Sequence, residues 1–293
     1  MTSGIRWMMI WGIALAAWVA ARAESASASA SISAGDVGDP DVGVVLRRMS
    51  ERAQAVAGAT NEAYGYSLVS YHETLDASGG VKNSKEKAYE VTLRRGMTHN
   101  RLLAINGRPL NAAESQVQSE KENRWRETYA GGRGGSRMER MDQLVNEALF
   151  SRFEFALAGR EPMRGHPCWI LEFKPRASDL PEERLIDRVI NRLHGRIWVS
   201  IADSEIVRAD VETAGTLKLW GGLLGSLETF RLHLDRDRSD PGIWYNRHTE
   251  VTVRARRLFT PIHVRLREIA DGLRRLGPAD AEGGSEGNLK VRE

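Results

Sequence analysis

The stretch that most constrains the fold is Gly195 to Thr213, GRIWVSIADSEIVRADVET. Ile197, Val199 and Ile201 fall on one side of an extended chain, with Arg196, Trp198 and Ser200 on the other. After the polar turn Ala202-Asp203-Ser204, Val207, Ala209 and Val211 alternate with Arg208, Asp210 and Glu212. Successive side chains of a strand point to opposite faces, so a two-residue period on both sides of a turn predicts a β-hairpin with one apolar face. Such a face has to be covered, and the rest of the chain must supply the cover.

The same period recurs. Tyr64, Tyr66 and Leu68 share a side, and after a turn at 77–80 so do Tyr89, Val91 and Leu93 over 88–95. A short strand at 101–105 closes on Asn106-Gly107. Phe153, Phe155 and Leu157 alternate, as do Trp169, Leu171 and Phe173, then Phe230, Leu232 and Leu234. Val251, Val253 and Ala255 are followed by Ile262, Val264 and Leu266. Helical spacing links Val42, Val45, Leu46, Met49, Ala53 and Val56 after Asp39-Pro40, with Arg52 turned away from that stripe. It also links Met138, Met141, Val145 and Leu149, and predicts a helix over 180–193 through Leu185, Ile186, Val189 and Leu193. About ten one-faced strands and a few single-striped helices predict a mainly β, α+β fold. The economical form is a strongly curved antiparallel sheet, or open β-barrel, with helices on its concave face. Residues 111–128 read as a polar helix and are followed by the glycine-rich 131–135, so 111–136 is the expected lid or flexible arm.

The first residues read as an export signal: Arg6, an uncharged apolar run from Trp7 to Val19, and Ala21-Arg22-Ala23 as the cleavage site. The run is shorter than the ~20 residues a spanning helix needs. The expected order is a signal peptide over 1–23, a Ser/Ala/Gly-rich leader over 24–38, one domain over 39–276 and a disordered tail over 277–293. The mature chain is then expected to be soluble and periplasmic. Removing Arg6 and Arg22 leaves 40 basic against 39 acidic residues, a net charge of +1, which gives no case for nucleic acid. Cys168 is the single cysteine and lies in the apolar HPCWILEF, so no internal disulfide forms and a buried side chain is expected.

Catalytic motifs are missing: no G-x-S-x-G elbow, no phosphate loop, no H-E-x-x-H. The seven histidines read as surface or turn residues without ligand-like partners, so no metal, cofactor or catalytic residue is expected. Asp235, Asp237 and Asp240 resemble a calcium loop, but the closing Glu is replaced by Asn246 and the stretch reads as a polar hairpin loop. Leu217 to Leu227 is apolar and broken by three glycines, either a bend between strands or a mouth loop presenting Trp220, Leu223 and Leu224. Arg254, Arg256, Arg265 and Arg267 alternate on the outward face, either as solvated charge or as attraction to an anionic membrane surface.

Two stretches, GHPCWILEFKP at 165–175 and the G-x-I-W-V strand, polar turn and I-V-R return of 195–208, resemble the periplasmic outer-membrane lipoprotein carrier (Lol-type) and lipoprotein-sorting-like superfamily. The resemblance implies an open, strongly curved barrel with a helical lid, holding acyl chains in an apolar cavity. The expected function is a non-catalytic carrier or binder of acyl chains or lipoproteins. The candidate cavity residues are the inward set Phe153, Phe155, Trp169, Phe173, Ile197, Val199 and Phe230. An envelope sensor on the same scaffold that binds another protein, and a periplasmic hydrolase with a spatially assembled site, are the alternatives.

Overall fold

The computed structural model describes residues 39–57, 63–94, 97–130, 147–176, 180–182, 185–219, 225–239 and 242–277. The expected signal peptide and leader, the 131–135 glycines, most of the helix expected over 138–149, the expected mouth-loop residues Trp220, Leu223 and Leu224, and residues 278–293 lie outside them.

In chain order the elements are α1 (Val42–Ala57), β1 (Ala63–Leu75), β2 (Val81–Arg94), β3 (Met97–Ile105), β4 (Arg108–Pro109), α2 (Ala112–Ala130) and α3 (Glu147–Phe150). Then come β5 (Phe153–Met163), β6 (His166–Pro175), α4 (Leu185–Ile190), β7 (Leu193–Ser200), β8 (Ile206–Thr213) and β9 (Leu217–Leu219). The chain of described elements ends with β10 (Gly225–Arg238), β11 (Trp244–Arg257) and β12 (Thr260–Arg275). All twelve strands form one antiparallel sheet, ordered β4-β3-β2-β1-β12-β11-β10-β8-β7-β6-β5, with β9 paired to β10. The sheet is curved and not closed, as the alternation predicted, and β4 and β5 are its margins.

Two expectations are corrected. The 180–193 helix is confined to Leu185–Ile190; residues 180–182 are not helical and Leu193 already opens β7. The polar hairpin loop is shorter than read, because Asp235 to Arg238 continue β10 and only 239–243 connect it to β11. The two flanks of the glycine-broken stretch pair as strands, Leu219 opposite Gly225 and Leu217 opposite Leu227, which makes it a hairpin.

The helices cover one sheet face. Val45 and Met49 of α1 are buried against Trp169, Leu171, Ile197, Val199, Ala209 and Leu234. Leu149 of α3 and Ile190 of α4 pack with Phe153, Leu193, Phe230, Leu232 and Val251. Each fully buried side chain of this size contributes about 1.5–3 kcal/mol, so α1 is held mainly by its apolar stripe. The outer face carries its own cluster: Trp198, expected on the polar side, is buried with Cys168, Val207 and Trp244. Strands β6 and β7 are therefore apolar on both faces there.

Helix α2 begins with a reciprocal cap: Glu114 N–H donates to Asn111 Oδ1 and Asn111 N–H to Glu114 Oε2, both at 2.9 Å. Arg108 grips the same carboxylate with two bonds of 2.7 Å. The Trp125 ring lies 4.7 Å from that of His99 on β3, which seats a helix that has little apolar face of its own.

Candidate functional site: the inner face of the sheet

Directly paired residues of antiparallel strands lie on the same face, so the register can be followed across the sheet. One inner-face row runs Phe155, Phe173, Gly195, Val211, Leu232, Val251, Leu266, His72 and Lys85. The next runs Leu157, Leu171, Ile197, Ala209, Leu234, Thr249, Glu268, Ser70 and Lys87. Both rows are apolar under the helices and polar to basic where β12, β1 and β2 carry them on. The first row is bare at Gly195, where a Cβ would fall 2.0 Å from the Asp210 carbonyl oxygen.

All seven candidate cavity residues lie on the apolar part. Phe153 and Phe230 belong to the cluster under α3 and α4; Trp169, Ile197 and Val199 belong to the cluster under α1. Phe155 and Phe173, partly buried, touch both. Their rings are 5.8 Å apart, and Phe153 meets Phe173 edge-on at 5.2 Å, so the three phenyl groups join the two clusters. The guanidinium of Arg160 lies 5.4 Å from the Trp169 ring centroid at the rim. These side chains face helices fastened by apolar contacts and, among others, by two ionic groups.

The first of those groups is a buried triad. Glu205 accepts from Arg236 Nη1 at 2.7 Å and from Arg52 Nε at 3.1 Å, and Arg236 also donates to the carbonyls of Ile206 and Trp244. Arg52 lies on α1, so the residue expected to face away from the sheet instead ties the helix to it. The second holds α4: Arg152 pairs with the buried Asp187 at 3.3 Å and donates to Asn191 Oδ1 and the Pro181 carbonyl.

The basic end of the rows was not read from the sequence. Residues 82–87 are polar on both faces, so no apolar period marked them as strand, yet β2 begins at Val81. His72 and Lys85 are a direct cross-strand pair, Lys87 lies one inner-face position on, and Lys121 of α2 stands close enough to add its charge. Burial, then the Lys87 and Lys85 charges, depress the His72 pKa. Burial, then Lys85 and Lys121, depress that of Lys87. Beside them, burial pushes the Glu268 carboxyl above its usual range. Tyr66, buried and facing Glu268, is pushed up to about 12. Continuing the β1 alternation past Leu68 to Ser70 and His72 was the available signal.

On the outer face the expectation that no histidine has a ligand-like partner is corrected. Strands β10 and β11 bring His233, Asp235 and His248 together, with donor atoms all within 4.8 Å of one another. They are adjacent only through the β10–β11 register, which sequence spacing does not reveal. Cys168 is fully buried, its Sγ donates to the His166 carbonyl at 3.2 Å, and burial pushes the thiol up to about 11. A thiol of that kind is a poor nucleophile, which weighs against a hydrolase built on it. The outward arginines are engaged by acids: Arg254 and Arg256 with Glu228, Arg265 and Arg267 with the buried Glu73.

No protein-family model matches the chain, and no curated protein matches it. Among solved structures the chain is similar to a DUF1329 family protein from Desulfovibrio piger, with 15% identity, TM-score 0.30 and coverage of 84% of this chain and 99% of that one. It is also similar to an outer membrane lipoprotein-sorting protein domain from Vibrio parahaemolyticus, with 9% identity, TM-score 0.29 and coverage of 81% and 95%. A LolA superfamily protein from Nitrosomonas europaea shares 10% identity at TM-score 0.28 over 84% and 99%.

Proposed function

We propose that the protein is an exported, non-catalytic carrier or binder that takes the acyl chain of an anionic lipid or lipoprotein against the inner face of its sheet. The observation that carries this reading is the continuous inner-face row from Phe155 to Lys85. One side of the row is hydrocarbon under helices, and the other carries His72 and Lys85, with Lys87 one inner-face position on. An acyl chain replacing helix contacts on Phe155, Phe173 and Ile197 would gain roughly 25 cal/mol per Å² of apolar surface buried. Its anionic head would lie towards His72, Lys85 and Lys87, and a negative charge there relieves the repulsion between the two lysines.

Contact with a bilayer has support at the β11–β12 turn. Phe259 is 97% exposed beside Leu258, which is also exposed, and Arg256 and Arg257 precede the pair. An aromatic tip next to cationic side chains suits the interface of an anionic membrane. The β9–β10 hairpin pairs beside that turn through Ser226 and Arg256.

The test is uptake of a fluorescent fatty acid by delipidated protein. Saturable binding is expected, weakened several-fold in Lys85→Glu/Lys87→Glu. Absence of uptake, in protein whose native fold is confirmed by circular dichroism, rejects the carrier. A stoichiometric protein co-purifying from the periplasm, with no lipid, would favour the envelope sensor instead.

A further inference from the structure

We propose that His233, Asp235 and His248 form a binding site for a zinc-type divalent metal ion on the outer face of the sheet. The site is independent of the acyl-chain reading, which concerns the opposite face. Three donor atoms, two imidazole nitrogens and one carboxylate oxygen, lie within 4.8 Å of one another. Two nitrogens and one oxygen are the donor set that zinc takes in three-ligand sites, with water in the fourth position. His233 and His248 are only partly buried, which leaves that fourth position open to solvent, while Asp235 is buried.

The surroundings are arranged as a metal site's supports are. His233 Nδ1 is 2.5 Å from Asp210 Oδ1, directly across on β8, which orients the ring and leaves Nε2 directed at Asp235 Oδ2, 3.3 Å away. A carboxylate behind a ligating imidazole fixes the ring and raises its basicity. Asp235 divides its two oxygens: Oδ1 accepts from Arg208 Nε at 2.8 Å, and Oδ2 faces the histidines. A metal would replace only the longer contact, between His233 and Asp235. Glu250, opposite His233 on β11, adds a second nearby negative charge, and the cation on the far side, Arg267, is already paired with Glu73.

A break in the ladder places His248. The β10–β11 register shifts between Asp235 and Arg236, with Arg247 the extra residue and paired to Asp237 at 3.0 Å. Bulges of this kind re-aim side chains and are common beside functional sites. Here the bulge sits next to His248 and closes the three-residue group.

The experiment is titration of the metal-free full chain with zinc ion by calorimetry, paired with the absorption spectrum of the cobalt(II)-loaded protein. One equivalent bound, with a four-coordinate cobalt spectrum, is expected. His248→Ala and His233→Ala should each weaken zinc binding at least tenfold, and Asp210→Asn by about 10–100-fold. Zinc binding that is absent in the wild type, or equally tight in both histidine variants, overturns the site. Should His233→Ala not fold, the partly exposed His248→Ala decides alone, and unchanged affinity in Asp210→Asn removes that residue from the site.

Discussion

The two faces of the central strands, built from alternate residues of the same segments, solve opposite problems. On the inner face of β7, β8 and β10, Ile197, Ala209 and Leu234 sit side by side and are sealed by α1. One residue along, on the outer face, stand Arg196 with Glu172, Arg231 with Glu212, and the Asp210–His233–Asp235–Arg208 chain. At these positions the inner contacts are buried and individually strong, and the outer ones are more exposed and individually weak. Stability there is therefore concentrated on the inner face, while elsewhere the outer face keeps its own buried cluster around Trp198 and Trp244.

The sharpest way to break this contrast is Glu205→Ala. It strands Arg236, buried at 4% exposure, and unties Arg52 of α1. Removing one partner of a buried ionic group costs about 3–5 kcal/mol. Urea denaturation should show that loss, and a change below about 1 kcal/mol would mean the triad does not fasten the helix.

Glu268→Gln tests the inner face in the other direction. Burial raises the Glu268 pKa, so the folded state holds its proton more tightly than the unfolded chain does. Stability from this group is complete below the usual carboxylate value of 4.5 and declines as pH rises through the raised folded value. The glutamine variant should melt higher than wild type at neutral pH, with the difference vanishing below that value. A gain that persists in acid would place its origin in packing.

The smallest effect belongs to the outer face. Arg196 bonds Glu172 at 2.7 Å, yet both side chains are about half exposed. Arg196→Ala should change stability by less than about 1 kcal/mol, and less still in high salt. A larger loss in the same denaturation assay would erase the distinction between the faces.

Amphipathic alternation made most of the sheet legible, because strands such as β6 and β8 bury one face against apolar helices. It failed where that physical cause is absent. The start of β2 has Lys85 and Lys87 on its inner face, and the end of β10 buries Arg236 by pairing it with Glu205; both read as loop. The apolar half of the candidate site was visible in seven residues, since their shared face follows from parity along each strand. The basic half and the histidine group depend on which residue stands opposite which, and register across distant strands has no signature in local spacing.

The open sheet also has to end somewhere. At one margin β4 is only Arg108–Pro109, and its arginine is occupied by the cap of α2. At the other, β5 carries Pro162, which has no amide hydrogen to offer, near the exposed charges of Arg160 and Glu161. Each border thus carries a feature that disfavours pairing with a foreign strand. Such features lower the tendency of an open sheet to recruit copies of itself along its borders.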